Sequence, residues 1–300
     1  MDYRTQLRRL SEIVNKHIAV FTSIDNTFKT TERSFNIPNS TQLIHTEWYD
    51  TTFGRIFNLK SPDQRTKERT YFHYKSFDLA YKFINENFVT ASALSNFVGV
   101  TDDIKEYEHF FNTTKIPCDK SFIDNKKKEY YIFCLTENNK TKRFWREYVS
   151  EHKGLCLEFE FIDKKQHSDL FELRSICYDN GNDFKFYSEM QDEIFPVFDR
   201  YLLTQGLAKF GAFYKRKTLF EWETETRLLF DFGLHQTNLN NMNFSNYSHN
   251  SRKYLKVPLD NDLFSLKVKS IAIGKNLSID QKQMIKDLAN RKGILWTEEK

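Results

Sequence analysis

One alternating run in the C-terminal half constrains the fold more than any other part of the chain. It reads Trp222-Glu223-Thr224-Glu225-Thr226-Arg227 and continues into the apolar residues Leu228-Leu229-Phe230. Side chains alternate between the two faces of a β-strand, so a strand here places Glu223, Glu225 and Arg227 on one face. The pattern predicts a strand over 222–232 with three charges on a single face.

Two interpretations of this charged strand compete. In the first, the three side chains form an ion-pair ladder on a solvated sheet face, with Glu223 an ordinary surface carboxylate and Arg227 its partner. In the second, they form a polar site in which Arg227 keeps Glu225 ionised and oriented. Such a carboxylate suits the binding of a sugar hydroxyl or the stabilisation of a developing cation.

Composition indicates a compact, aromatic-rich globular protein. The 300 residues include 29 Phe and 15 Tyr, with only nine Gly and five Pro, which argues against a disordered or fibrous chain. The formal charge of +4, from 45 basic and 41 acidic residues, is small for this length. A globally basic nucleic-acid-binding protein is therefore disfavoured, although a local basic patch remains compatible with the sequence.

The N-terminus lacks the apolar segment of a secretory signal, and the sequence contains no apolar run of the ~18 residues that a membrane helix needs. We therefore expect a cytoplasmic protein without a membrane partner. The cysteines at 118, 134, 156 and 177 have no paired spacing, which predicts structural thiols, and the scattered histidines predict no metal site.

Periodicity predicts a mixture of helices and strands without regular alternation. Helical spacing of apolar residues predicts an amphipathic helix over 7–21 and further helices over 79–88, 141–149, 183–214 with a break near Pro196, and 279–288 after Ser278. Apolar or alternating runs predict strands over 70–74, 88–91, 130–135, 154–161, 222–232, 254–259, 267–273 and 294–297.

These elements predict the α+β class, with a single mixed and mostly antiparallel sheet flanked by helices. We assign residues 1–68 to a helical N-terminal extension and residues 69–300 to the α+β domain.

A family resemblance covers about residues 69–297. Its most specific parts are the segment from Phe144-Trp145-Arg146-Glu147-Tyr148 to His152-Lys153-Gly154-Leu155-Cys156-Leu157-Glu158-Phe159, and the Glu-x-Glu-x-Arg run at 223–227. In this order, after Tyr71-Phe72-His73-Tyr74, they resemble the bacterial domain of unknown function 2971 family. That family usually carries Asn-Asp-Pro and a nearby Glu after its early strand, whereas this chain has Ser95-Asn96-Phe97, Asp102-Asp103 and Glu106. Members occur among bacterial defence-associated genes, which implies a defence partner.

The layout is also similar to that of ADP-ribosyltransferases of the His-Tyr-Glu kind. This similarity implies NAD as a co-substrate rather than a permanently bound cofactor, with a macromolecular acceptor. His73 and Tyr74 would then contact the adenosine ribose side, and Glu225, oriented by Arg227, would hold the nicotinamide ribose. Cleavage of that glycosidic bond passes through an oxocarbenium-like state that a carboxylate stabilises. Trp145 or Tyr148 would stack on a planar ring.

Each of these residues also has a structural interpretation. His73 is equally consistent with a packed, hydrogen-bonded histidine, Tyr74 with a core or rim aromatic, and Trp145 with a packing anchor. Two function classes are therefore open. One is an NAD-using transferase or glycohydrolase, for which the family resemblance implies a role as a bacterial defence effector. The other is a non-catalytic ligand-sensing or protein-interaction module of a bacterial defence system.

A nuclease is the third class, and Arg227 beside Glu225 disfavours the metal site that it would need. The basic runs at 126–128 and 215–217 could contact the phosphates of a nucleic acid, but short charge runs are typical of solvated loops.

Overall fold

The computed structural model describes residues 3–21, 52–65, 69–97, 103–115, 120–138, 142–165, 168–179, 184–199, 201–204 and 206–299. Contacts divide the chain into two compact units. Unit 1 comprises Met1–Pro62, Val98–Lys126 and Ile176–Glu221, and unit 2 comprises Asp63–Phe97, Lys127–Ser175 and Trp222–Lys300. Positions 22–51 and 66–68 of the predicted N-terminal extension lie outside the described residues, and the boundary at residue 68 stays a prediction.

The helices of the described residues, in chain order, are α1 (Tyr3–Ile18), α2 (Gly54–Lys60), α3 (Phe77–Glu86), α4 (Asp103–Thr114), α5 (Lys120–Glu129), α6 (Lys142–Glu147), α7 (Lys185–Phe198), α8 (Leu207–Gly211), α9 (Lys217–Phe220), α10 (Phe232–Asn241) and α11 (Ile279–Lys292). Short 3₁₀ turns lie at Leu94–Asn96 and Glu221–Glu223.

The strands are β1 (Thr70–Ser76), β2 (Phe88–Ala93), β3 (Tyr130–Thr136), β4 (Gly154–Asp163), β5 (Glu172–Ser175), β6 (Cys177–Asp179), β7 (Tyr214–Arg216), β8 (Glu225–Asp231), β9 (Ser245–His249), β10 (Arg252–Pro258), β11 (Phe264–Ile273) and β12 (Leu295–Glu298). The α+β prediction is confirmed, because a large, mostly antiparallel sheet lies among helices.

Unit 1 contains α1, whose predicted amphipathic character is confirmed. Its apolar residues at helical spacing are buried, and α1 packs against α7. The predicted helical stretch over 183–214 is divided into α7 and α8, and Pro196 lies in the last turn of α7. A parallel pair of short strands, β6 and β7, completes the unit.

Unit 2 is built on the large sheet, with the strand order β12-β11-β4-β1-β3-β2-β10-β9. β8 pairs with β3 and with β5, and β11 and β12 form a parallel pair. One surface of this sheet, which we call the core face, carries Tyr71, Phe133, Leu157 and Phe230. Apolar residues of α3, α10 and α11 pack on this face and form the main core.

The opposite surface of the sheet, which we call the charged face, carries Tyr74, Cys156, Thr136 and Arg227. Cα pairing joins Tyr74 to Cys156, and it joins Thr136 to Glu225 two residues before Arg227. Because side chains alternate along each strand, these residues point away from the core face. The two faces therefore have different chemistry.

β3 divides one of its edges between two strands. In the described ladder, Phe72 of β1 pairs with Thr136 at one end, while Ser92 and Ala93 of β2 pair near the other end. β1 and β2 thus diverge along this edge and leave the middle of β3 between them. The opposite edge of β3 pairs with β8 along its whole length.

A capping box begins α11, as Ser278 predicts. The Ser278 side chain accepts from the backbone N–H of Gln281, and the Gln281 side chain accepts from the backbone N–H of Ser278. Among the described residues, no helix combines the length and apolar character required to cross a bilayer.

Gly154 permits a close approach at the start of β4. It pairs with Ser76, and a Cβ atom at this position would overlap the backbone carbonyl of Lys75 and the side chain of Val149. Neither neighbour can move without displacing β1 or the helical segment that ends beside it.

We expect Gly154→Ala to lower the free energy of unfolding by roughly 1–3 kcal/mol, because the added methyl group forces β1 and β4 apart. Urea denaturation monitored by circular dichroism measures this loss. Gly233→Ala is the matched control, since its methyl group would meet the flexible carboxyl end of Glu129. Equal stability of Gly154→Ala and the unmodified chain would contradict the close approach.

Candidate functional site

β8 holds its charged side chains inside the protein. Arg227 exposes 1% and Glu225 exposes 6% of its surface, and every residue of the strand is buried. Arg227 Nε donates to Glu225 Oε1 at 2.8 Å, so the two charges form a pair along one strand face. The solvated-ladder interpretation is wrong for these two residues, because both are buried.

A second pair of the same kind lies on the neighbouring strand. Arg174 is the direct partner of Arg227 across the β5–β8 ladder, and its Nε donates to Glu172 at 2.6 Å. Each guanidinium therefore has a carboxylate two residues earlier in its own strand. This pair was missed from the sequence, although the repeated Glu-x-Arg spacing at 172–174 was the signal for it.

Glu223 departs from the predicted strand. It lies in a 3₁₀ turn, and Thr224 has a left-handed backbone with φ of 42°, so β8 begins only at Glu225. The expected surface position of Glu223 is also wrong, because only 3% of the residue is exposed. Its carboxylate accepts a hydrogen bond from the Tyr148 hydroxyl, and its backbone carbonyl accepts one from Thr136 Oγ1 at 2.6 Å.

Aromatic side chains cover part of the charged face beside Glu223. Tyr74 stacks on Phe144 with ring centroids 5.0 Å apart and meets Trp145 edge-on at 5.2 Å. Tyr148 and Trp222 pack against the same group. We call Tyr74, Phe144, Trp145, Tyr148, Trp222 and Glu223 the aromatic–carboxylate cluster. Burial raises the pKa of Tyr74 well above its ordinary value, so the phenol stays protonated.

A left-handed turn joins α6 to β4 next to this cluster. Ser150, Glu151 and His152 have φ values of 47°, 56° and 69°, a conformation that costs L-residues roughly 1–2 kcal/mol each. The backbone N–H of His152 donates to Trp145 O, and Asn276 Nδ2 donates to Glu151 O. These bonds hold the turn, and sequence periodicity gives no signal for it.

The outer edge of the cluster already holds a cation. The guanidinium carbon of Arg143 lies 3.9 Å from the centroid of the Trp222 ring, and Arg143 Nε also donates to Glu147 at 2.7 Å. Trp222 and Tyr148 are each partly exposed, whereas Arg143 is exposed. A planar cation therefore sits between an aromatic ring and solvent, near the buried Glu223.

His73 lies on the core face of the sheet, whereas Glu225 and Arg227 lie on the charged face. Phe72 pairs with Thr136, and Thr136 pairs with Glu225, so these three share one face and His73, the next residue, points to the other. The His73 ring lies 4.4 Å from that of Phe133 and fills the space where β1 leaves β3. His73 and Glu225 therefore cannot line one cleft.

The hydrogen bond of His73 fixes its tautomer. Nδ1 lies 2.8 Å from Cys134 O, and a carbonyl can only accept, so Nδ1 carries the proton. Nε2 is buried and has no hydrogen-bond partner within the described part of the chain. Burial, with Lys75 adding to it, lowers the pKa of His73 to about 3. The imidazole is thus neutral and structural, as the packed-histidine interpretation predicts.

The structure places Tyr74, Trp145 and Tyr148 in one cluster. Glu225 and Arg227 form an ion pair on the same face of the sheet. His73 was predicted to lie with these residues, but it points to the opposite face of the sheet. The residues that it missed are Trp222 and Arg143, which form the partly exposed edge.

The basic runs were predicted to be solvated loops. The structure places them in α5, β7 and α9, where Lys128 and Lys217 are exposed as predicted but Lys127 and Lys215 are buried. Lys215 is buried in β7 with its ammonium 3.2 Å from Asp103, and Arg216 pairs with the buried Glu106. Lys127 lies in α5 and is also buried. Asp103 and Glu106 therefore form ion pairs within unit 1. They belong to the segment in which the resembling family usually carries Asn-Asp-Pro and a nearby Glu.

Cys134, Cys156 and Cys177 are reduced cysteines, whereas Cys118 lies outside the described residues. The described residues contain no group of three or more His, Cys, Asp or Glu side chains arranged to hold a metal ion.

Comparisons of the chain with protein-family models, with curated proteins and with solved structures found no match. The resemblance to the domain of unknown function 2971 family therefore stays a prediction that rests on the motifs.

The buried pair makes a prediction about stability. Arg227→Met should lower the free energy of unfolding by roughly 3–5 kcal/mol, because it leaves the Glu225 carboxylate buried without its guanidinium. The double variant Arg227→Met with Glu225→Leu should regain most of that loss, since apolar residues can replace a buried ion pair at little cost. Urea titrations of the single and double variants measure both effects. A loss below about 1 kcal/mol for Arg227→Met is what a solvated pair would give.

The neutral His73 makes a prediction about pH. Its pKa is depressed on folding, so its contribution is complete above the unfolded value near 6.5 and is lost as the pH falls toward 3. Between pH 7 and 5, the stability of the unmodified chain relative to His73→Gln should fall by up to about 2 kcal/mol. Urea midpoints measured across this range test it. The exposed His249, changed to Gln, is the control, and parallel curves for all three proteins would refute the buried neutral state.

Proposed function

We propose that the protein is a ligand-binding module whose aromatic–carboxylate cluster takes a planar cationic ring. The nicotinamide ring of oxidised NAD is the first candidate, because it is flat, aromatic and positively charged. The observation that carries this proposal is the Arg143 guanidinium, itself a planar cation, held 3.9 Å from the Trp222 ring beside the buried Glu223. The chain thus contains an internal analogue of the ligand that we propose.

Two features of the cluster favour a cation over a neutral ring. Trp222 presents an aromatic face whose quadrupole attracts positive charge, worth about 0.5–1 kcal/mol at an exposed site and about 2 when desolvated. Glu223 adds a carboxylate that the Tyr148 hydroxyl orients. Arg143 belongs to a short helix and exposes 44% of its side chain, so it can leave the ring when a ligand arrives.

The geometry favours binding over transfer of ADP-ribose. The transferase layout requires His73 and Glu225 on one cleft, and the strand register separates them to opposite faces. Glu225 is moreover buried and bonded to Arg227, which leaves it poorly suited to meet an oxocarbenium ion. We therefore favour the ligand-sensing alternative over the NAD-consuming one.

Calorimetric titration with NAD and with NADH tests the proposal. The reduced ring is uncharged, so the cluster should bind NAD about 5- to 30-fold more tightly than NADH, as a cation–π contribution of 1–2 kcal/mol predicts. Trp222→Leu should abolish this preference. Arg143→Ala should tighten NAD binding about 2- to 5-fold, because it removes the competing cation.

Trp296→Leu is the matched control, since Trp296 is partly exposed and has Lys286 over its ring at 4.7 Å, and it should leave NAD binding unchanged. Equal affinities for NAD and NADH would contradict the proposal, as would a preference for NAD over NADH that survives Trp222→Leu. Nicotinamide release that Glu225→Gln abolishes would instead establish the transferase or glycohydrolase function.

A further inference from the structure

The outermost hairpin of the large sheet has a form unlike the rest of unit 2. β9 pairs with β10 and is the last strand in the order of the sheet, and every residue of β9 is exposed. A two-residue turn joins the strands, with Asn250 and Ser251 at φ of 47° and 62°. This is the left-handed pair that a tight hairpin turn requires. The hairpin therefore presents both of its surfaces to solvent at its tip.

The charge of this region is one-sided. The sequence from Phe232 to Leu259 contains no Asp or Glu, although acidic residues make up 41 of the 300 in the chain. The same stretch carries Arg252, Lys253 and Lys256, and Arg252 and Lys253 are exposed. Glu86 approaches Lys256 at 3.8 Å from α3. The hairpin tip is thus positively charged, which favours an anionic partner.

Two tyrosines lie in the middle of this basic surface. Tyr247 and Tyr254 are direct cross-strand partners, and their rings stack with centroids 5.4 Å apart at an angle of 26°. Tyr247 is 43% exposed, and its hydroxyl lies 3.4 Å from Thr90 Oγ1, which fixes the direction of the ring. An aromatic pair held at the surface of a β-sheet can stack on further planar rings.

Alternation along β10 places Arg252, Tyr254 and Lys256 on one surface, in the order cation, aromatic ring, cation. Tyr247 joins them from β9. Asn96 anchors this arrangement from the adjacent 3₁₀ turn, because Lys253 N donates to Asn96 Oδ1 at 3.1 Å and Asn96 Nδ2 donates back to Lys253 O. The spacing of cations and rings is thus set by the sheet.

We propose that this hairpin binds single-stranded nucleic acid. Bases stack on Tyr247 and Tyr254, while Arg252 and Lys256 on the same surface neutralise the phosphates on either side, which is the combination that single-strand binding surfaces use. An acidic protein would match the charge but would have no use for the stacked tyrosines. The proposal concerns residues apart from the aromatic–carboxylate cluster and does not depend on NAD binding.

Fluorescence anisotropy with labelled oligo(dT) and oligo(rU) tests the proposal in the full chain at several salt concentrations. The affinity should fall as salt increases. Tyr247→Ala should weaken binding roughly 5- to 100-fold, the loss expected for one stacked base, and Tyr247→Phe should retain it. Arg252→Gln should reduce the slope of log affinity against log salt by about 1.

Lys267→Gln, at an exposed lysine of β11 in the same sheet, is the control and should leave the slope unchanged. The Tyr247 and Arg252 side chains are exposed, so these variants should retain the circular dichroism spectrum of the parent. Absence of binding at low salt would overturn the proposal. It would equally be overturned if Tyr247→Ala bound as the parent does, or if polyglutamate competed as well as oligo(dT), since either result would show attraction by charge alone.

Discussion

The buried pair of Glu225 and Arg227 is the constraint on which the sheet of unit 2 depends. β8 pairs with β3 on one edge and with β5 on the other, and the side chains of Arg227 and Glu225 on its charged face are buried, with 1% and 6% exposed. The guanidinium and carboxylate must therefore satisfy each other within the protein. Glu172 and Arg174 repeat the arrangement on β5, where Arg174 lies directly opposite Arg227. Two positive charges can face each other because each has its own carboxylate.

Near the point where β1 and β2 diverge along β3, the two faces of the sheet carry different chemistry. On the core face, the neutral His73 fills the gap and bonds to Cys134 O, where a strand partner would otherwise lie. On the charged face, the aromatic–carboxylate cluster adjoins the ion pairs. A histidine and a glutamate that are well placed in sequence order for one reaction thus end on opposite sides of a single sheet. Because of this separation, His73 and Glu225 cannot act together on one substrate.

Local pattern was sufficient for much of the fold. Helical spacing at 7–21, the alternation at 154–161 and the cap at Ser278 each gave the correct element, because every one depends on residues close in sequence. The strand predicted at 222–224 failed for a physical reason: alternating Glu and Thr imitate a strand, while a left-handed Thr224 turns the chain. Nothing in the periodicity specifies that backbone angle.

The site was predictable only in part. Sequence motifs identify its residues, but the pairing register of the strands decides which of them share a face. Trp145 is buried, as its interpretation as a packing anchor predicted, but the face of His73 relative to Glu225 depends on pairing across three strands. The burial of charged residues could not be predicted from the sequence either. Lys215 is part of a basic run in sequence, and its partner Asp103 comes from a distant segment of the chain. Charge runs are therefore a poor guide to exposure when such partners exist.

Carboxyl footprinting of the unmodified protein, resolved by mass spectrometry of fragment ions, tests the central claim most directly. Glu221, Glu223 and Glu225 lie within five consecutive residues, and Glu221 is exposed while the other two are buried. The structure predicts strong labelling of Glu221, with Glu223 and Glu225 protected until the protein unfolds. Labelling of Glu225 at the rate of Glu221 under native conditions would contradict the buried pair and restore the solvated charged strand.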